Sequence, residues 1–293
     1  MNPLTYAVLM KQFDAVDWNE YQAKALDSDP SALLPDIFSG SASDAERSGF
    51  PIQVSGNLAI VQLRGPMIKS DSFFARFFGF ASTQSVRRSI EAAANDPEIE
   101  TIVMIVDSPG GSVSGVAELS DSISNAKQHK DVIVQADGTI ASAAYWAAAG
   151  ATQIFSGKND LVGSIGARMQ LIDSSEMFKK DGLKSIPIDT GAFKSAGAPG
   201  TVITEEQIAD FQRLVDGFFA EFLGSVMTGR GLSEAKAKQS ADGRMFFANE
   251  AIDLGLIDGI RSTDETIAAL RPQPKARRQT TARAKNQFKL LNT

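Results

Sequence analysis

The sequence predicts an α/β protein with a mostly parallel central sheet. Two stretches, TIVMIVDS at 101–108 and DVIVQADG at 131–138, are nearly continuous apolar runs of strand length. Such runs indicate strands buried on both faces, and the segments around them follow a helical apolar period. Strands that alternate with helices at this spacing pair in parallel. With 43% hydrophobic and 22% charged residues among 293, the chain has the means to bury a sizeable core.

In chain order, residues 1–50 are polar and turn-rich towards their end (DSDPSALLPD, SGSASDAERSG) and read as a lead-in segment with one or two short helices. The folded domain is expected over 51–270. Its first element, NLAIVQLRGPMI, reads as a strand followed by a turn or a second strand. STQSVRRSIEAAAND follows with a helical period, Ser82 or Thr83 as N-cap, and Pro97 beyond its end. After the strand at 101–108 the PGGS turn breaks the run, a helix is expected at once, and VSGVAELSDSISNAKQHK carries its period. The small-residue segment TIASAAYWAAAGA then follows the second buried strand. Beyond Ser164 the alternation of strands and helices is expected to continue through ARMQLIDSS, EMFKKDG and LKSIPIDTG. A long amphipathic helix is expected over TEEQIADFQRLVDGFFAEFLGSVMTGRG, with Thr204 and Glu206 or Gln207 placed as a capping pair. Two short helical units, SEAKAKQSADG and NEAIDLGLIDGI, precede residues 271–293, where the apolar period fades into a basic, disordered tail.

Composition removes several classes of chemistry. There is no cysteine, so disulfides, thiolate zinc sites and a cysteine nucleophile are all excluded. A single histidine, His129, rules out a multi-histidine metal centre and leaves one candidate for any Ser-His-Asp triad. It lies in KQHK, which reads as solvated surface. No apolar run of about 20 residues is present, so no spanning helix is expected. The opening MNPLTYAVLMKQFDAVDW lacks a basic start and is broken by Lys11 and Asp14, so it is not read as a secretory signal. The net charge is −6, yet residues 271–293 hold seven basic and no acidic side chains, which leaves −13 on the rest. A basic tail on an acidic body fits either a solvated end or contact with nucleic acid or an acidic partner.

Three segments have the residue types that catalysis needs, and each has a plain structural reading beside the chemical one. In DSPGGSVSG, residues 107–115, Pro109 fixes φ while Gly110 and Gly111 allow unusual backbone shapes. Their amides, with those of the helix expected next, would gather free N–H groups around a developing anion. An ordinary strand–turn–helix corner has the same residues. In TIASAAYWAAAG, residues 139–150, Ser142 stands among alanines at a helix start, with room for a substrate backbone at its hydroxyl; close helix packing explains the alanines equally. In DTGAFKSAGAPG, residues 189–200, Lys194 sits in a Gly/Ala/Pro-rich stretch, either as a loop lysine or as a base. A lysine acts as a base only when neutral, which requires a dry, cation-poor site. Lowering its pKa from about 10.4 to near 7 disfavours the charged form by roughly 4 to 5 kcal/mol. Ala192, Phe193 and Ala196 are the neighbours expected to bury it.

Taken together, SPGGSV at 108–113, ASAAYW at 141–146, GSIG at 163–166 and FKSAG at 193–197 occur in the order found in a known family. The chain resembles the signal peptide peptidase A family of Ser/Lys peptidases, relatives of the Clp-type proteases and the crotonase fold. The resemblance covers roughly residues 55–265, and the separations of 22 and 52 residues from Ser142 to Ser164 and Lys194 agree with it. It implies a Clp/crotonase-like fold of repeated β-β-α units and amide hydrolysis through an acyl-enzyme. Ser142 would be the nucleophile, Lys194 the general base, and Ser164 the hydroxyl that holds the amine. The backbone N–H groups of Gly110 or Gly111, and of Ala143, would form the oxyanion hole, with no metal or cofactor. Where the family commonly has two glycines after the nucleophile, this chain has Ala143 and Ala144.

Family members of this length without an anchor include the phage prohead proteases, and the polar N-terminal segment and basic tail resemble that branch. The implied substrates are capsid or scaffold proteins. The implied assembly is a homo-oligomer with shared clefts, located in host cytoplasm or inside the prohead. A signal-peptide-degrading cellular enzyme, a crotonase-like acyl-CoA enzyme and a non-enzymatic scaffold protein remain as alternative readings.

Overall fold

The computed structural model describes residues 52–270 apart from 73, 74 and 76. The lead-in segment and the basic tail expected from the sequence lie outside the described residues. A central sheet runs in the order β1 (Ile52–Ser55), β2 (Leu58–Arg64), β5 (Thr101–Ser108), β6 (Asp131–Ala141), β7 (Gln153–Ser156) and β10 (Gly259–Ile260). From β2 to β10 the pairing is parallel, and β1 alone on this path is antiparallel to its neighbour. The two apolar runs of the sequence are β5 and β6, and Ile102, Val103, Val106, Val132 and Val134 have no exposed surface. Parallel strands with both faces covered carry such runs.

Helix α1 (Thr83–Asn95) follows the short pair β3 (Met67–Ile68) and β4 (Ala81–Ser82). Its N-cap is Ser82, whose hydroxyl accepts the N–H of Ser85 at 3.2 Å. Helix α2 (Val116–Ala126) starts five residues after Gly111, later than expected, because Ser112 pairs with Met67 and Gly115 in the left-handed region makes the entry turn. Helix α3 (Ala143–Ala148) is wholly buried. Two aromatic side chains anchor it. The Tyr145 hydroxyl donates to the Leu256 carbonyl at 2.8 Å, and the Trp146 ring stacks on Phe222 while its Nε1 donates to Ser225 Oγ at 2.9 Å. Full burial pushes the Tyr145 phenol well above its ordinary range.

Beyond β8 (Leu161–Gly163) the expected alternation stops. Neither ARMQLIDSS nor LKSIPIDTG forms a strand, and only the one-turn helix α4 (Ser175–Lys180) lies between them. Among the described residues these segments pair with no strand edge and meet no core. No residue from 166 to 221 is buried. Helix α5 (Glu205–Arg230) is the long helix expected, and Thr204 and Gln207 cap it reciprocally. It enters the core only at Phe222, Leu223 and Val226. The C-terminal part adds α6 (Glu234–Ala237), β9 (Met245–Phe247) antiparallel to β8, α7 (Ala248–Asp253) and α8 (Thr263–Leu270). The last of these has no counterpart in the sequence reading.

Tyr145→Phe removes the only described donor to the Leu256 carbonyl and is expected to cost about 1–2 kcal/mol. Urea unfolding of the pair checks it, and an unchanged midpoint contradicts it.

Candidate active site

The site is built at the carboxyl ends of β5 and β6, where their register shifts between Val106 and Ser108. Strand β6 changes partner along its length, from β7 at Ile133–Ala136 to β8 at Thr139–Ala141. The switch occurs at Gly138, with φ of 127°, where a Cβ would come within 2.8 Å of Asp107 Oδ1. Asp107 Oδ1 instead accepts the N–H of Thr139 at 3.1 Å. This bend moves the end of β6 from β7 onto β8, and Ser142 follows at the tip of a sharp strand-to-helix turn.

Ser142 has φ 51° and ψ −127°, a conformation that costs a non-glycine residue on the order of 1–3 kcal/mol. Its N–H donates to Gly163 O at 2.9 Å and its carbonyl accepts from Trp146 N, so the backbone is clamped. No hydrogen bond to the described residues engages its hydroxyl. Exposure of a serine on a strained turn between a strand and a helix is the arrangement that presents a nucleophile. Ser164 has φ 50°, and its N–H donates to Arg244 O at 2.7 Å. These two serines are the only non-glycine residues with positive φ among the described residues, and both line one cavity of about 920 Å³.

The glycine loop forms the opposite wall. The Gly110 carbonyl accepts the N–H of Met67 at 2.8 Å, and Met67 O accepts the N–H of Ser112 at 2.9 Å. A Cβ on Gly111 would stand 2.1 Å from Met67 O, and one on Gly110 would stand 2.7 Å from both Ala143 N and Ser142 Cβ. Only glycines allow this approach. The N–H of Gly110 is taken by Ser108 Oγ at 3.2 Å. Those of Gly111 and Ala143 have no acceptor among the described residues, which narrows the two glycine candidates to Gly111.

The remaining walls were not foreseen from the sequence. Gln212, Val215, Asp216 and Phe219, at helical spacing on α5, face the cavity, as do Arg168 and the turn Ala241–Gly243. That turn is held by Asp242, which accepts from Arg244 N at 3.2 Å and Arg244 Nε at 2.7 Å. These contacts, led by the backbone N–H, hold the Asp242 carboxyl below its ordinary range. The apolar spacing of α5 was a visible signal, but it read as a core face. His129 is exposed at the end of α2 and lies apart from the cavity lining, so the triad reading has no base. A second cavity of about 630 Å³, bordered by Asp121, Lys127, Trp146 and Glu221, contains no strained residue.

Lys194 is not among the lining residues. It stands in a turn after Gly191, exposed, as are Ala192 and Phe193, so the burial expected from its neighbours is absent in the single chain. The structure thus brings together Gly110, Gly111, Ser142, Ala143 and Ser164, and leaves Lys194 outside.

The model of peptidase family S49 matches residues 124–277. The chain belongs to peptidase family S49. A Clp protease model matches residues 80–156, the stretch from β4 to β7, in accord with a Clp/crotonase-like fold. Among relatives, a Methanocaldococcus jannaschii protein named as a protease is 30% identical over 60% of this chain and 56% of its own length. An Enterococcus faecium protein named as a signal peptide peptidase is 27% identical over 69% and 59%. The capsid assembly protease C of Escherichia phage lambda is 24% identical over 80% and 53%. This S49 chain therefore spans little more than half the length of these relatives.

If the turn at Ser142 is strained, Ser142→Gly should be more stable than Ser142→Ala, by about 1 kcal/mol, because glycine adopts positive φ freely. Differential scanning calorimetry of the two variants decides it; an alanine variant as stable as the glycine one removes the strain argument.

Proposed function

We propose that the chain is a serine endopeptidase in which Ser142 attacks a peptide carbonyl and Lys194 acts as general base. The observation that carries this reading is the convergence of two strained serines and the free amide of Gly111 on one cavity, with the free amide of Ala143 next to Ser142. In this scheme the neutral Lys194 amine takes the Ser142 hydroxyl proton as Oγ bonds to the carbonyl carbon. The resulting oxyanion is met by the two N–H groups, a contribution typically worth about 10²–10³ in rate per donor. Lys194 then passes the proton to the leaving amine, and water repeats the sequence on the ester. Ser164 accepts from the amine and fixes its direction.

Delivery of Lys194 to the cavity is attributed to a homo-oligomer. Ile172, Ile186, Ile188 and Val202 are 65–94% exposed in the segment that carries the lysine. Apolar side chains in such number call for a partner surface. Covering them with a second copy would exclude water from the amine and favour its neutral form. As substrates we propose capsid or scaffold proteins of a phage head, supported by the lambda capsid assembly protease match over 80% of this chain. No described helix is long and apolar enough to cross a membrane. One observation favours a second reading: Asp216 and Asp242 place carboxylates in the cavity, as crotonase-like acyl-CoA chemistry would need. Acyl-CoA turnover that survives Ser142→Ala would select it.

On a quenched peptide library, Ser142→Ala and Lys194→Ala are each expected to reduce hydrolysis at least about a thousandfold, and Ser164→Ala by about ten- to a hundredfold. Wild-type activity should rise towards alkaline pH as the base loses its proton. Full activity in Lys194→Ala sinks the dyad. Mixing Ser142→Ala with Lys194→Ala tells whether the pair is shared: recovery of activity places the two groups on different copies.

A further inference from the structure

The arm that carries Lys194 departs from the cavity wall at Arg168 and rejoins an ordered element at Thr204, and none of it is buried. An unburied segment of that length is held by no core contact. The local concentration of the amine at the cleft therefore depends on what ties its two ends together.

Four hydrogen bonds hold the arm, three of them between segments distant in sequence. Asp173 Oδ1 accepts the N–H of Ser175 at 2.9 Å, and Asp173 Oδ2 accepts the N–H of Ile203 at 3.1 Å, across the whole arm. Ser174 Oγ accepts the N–H of Gly200 at 2.8 Å. Gln207 Nε2, in the first turn of α5, donates to Ala192 O at 3.2 Å, two residues from Lys194. The Asp173 carboxyl is held below its ordinary range, first by the Ser175 hydroxyl and then by the two backbone N–H groups, so it stays ionised as an acceptor on both oxygens.

We propose that Asp173 is a positioning residue for the general base, its carboxylate closing the loop 173–203 and thereby limiting where Lys194 can be. The proposal rests on the reading of Lys194 as base. It requires a carboxylate: an asparagine at 173 has one acceptor oxygen and would turn its amide N–H₂ against one of the two backbone donors. Because the arm buries nothing, opening the clasp removes no core contact. That separates loss of positioning from loss of fold.

The test compares the full chain with Asp173→Asn, Asp173→Ala, Lys194→Ala, and Asp181→Asn as a control that makes the same charge change on the same arm. Each is assayed on a peptide that wild type cleaves and Ser142→Ala does not, using the size-exclusion fraction that matches wild type. Both Asp173 variants should lose about tenfold in kcat with KM little changed. Their pH of half-maximal rate should move upward, since a less confined amine spends more time hydrated and protonated. Their melting temperature should stay within about 2 °C of wild type, and Asp181→Asn should match wild type throughout. Wild-type kcat and pH profile in the Asp173 variants, beside an inactive Lys194→Ala, overturn the clasp alone. A kcat loss with an unmoved pH profile and a lowered melting temperature also overturns it, by showing a merely structural role. An active Lys194→Ala overturns the base assignment and the clasp with it.

Discussion

Everything at the cleft depends on the close approach of the Pro109–Gly111 loop to the Ser142–Ala143 turn. The gap is so small that a methyl group on Gly110 would lie 2.7 Å from the Ala143 nitrogen. Such an approach must be held from both sides. On one side β3 pins the loop through Met67, which both donates to and accepts from it. On the other, Ser142 N–H is fixed to β8 and the buried helix α3 is stacked behind it. The strain at Ser142 is small against the burial of α3, in which each of Tyr145 and Trp146 fills core space and also satisfies its polar atom. A strained residue persists only when its surroundings over-determine it, and here they do.

How far the residues alone predicted this can be argued element by element. Strands β5 and β6 were legible because burial on both faces writes a continuous apolar run, and α5 because Thr204 and Gln207 form a reciprocal cap. The glycine loop and the serine turn were legible as a pair of breaks after those strands. Their mutual contact was not, since spatial adjacency of 110 and 142 follows from strand order. The antiparallel pairing of β8 with β9 that sets Ser164 was illegible for the same reason: Arg244 supplies the acceptor from 80 residues away in sequence. Expected strands within 167–175 and 183–191 failed because apolar composition was read as burial, whereas Ile172, Ile186 and Ile188 face solvent.

The same contrast divides the candidate site into two mechanical classes. The proposed nucleophile and the two free amides sit on turns held by backbone hydrogen bonds to β3 and β8 and backed by the buried helix α3, a packing that resists displacement. The proposed base sits on an arm with no interior at all. A preorganised oxyanion site needs the first property, since its value lies in dipoles that do not have to reorganise. A lysine that must become neutral needs burial, which the second class lacks within one chain.

That asymmetry has a physical consequence for when the chemistry can run. An amine standing in water is charged near neutral pH, and a charged amine has no lone pair to take the serine proton. Ser142 alone, strained and free of hydrogen bonds to the described residues, remains a weak nucleophile. In the proposed scheme, completion of the site is coupled to whatever covers the apolar side chains of the arm, and the free energy of that covering offsets the loss of the ammonium's hydration. In such a design the rigid half determines which bond is attacked, and the unburied half determines whether attack occurs.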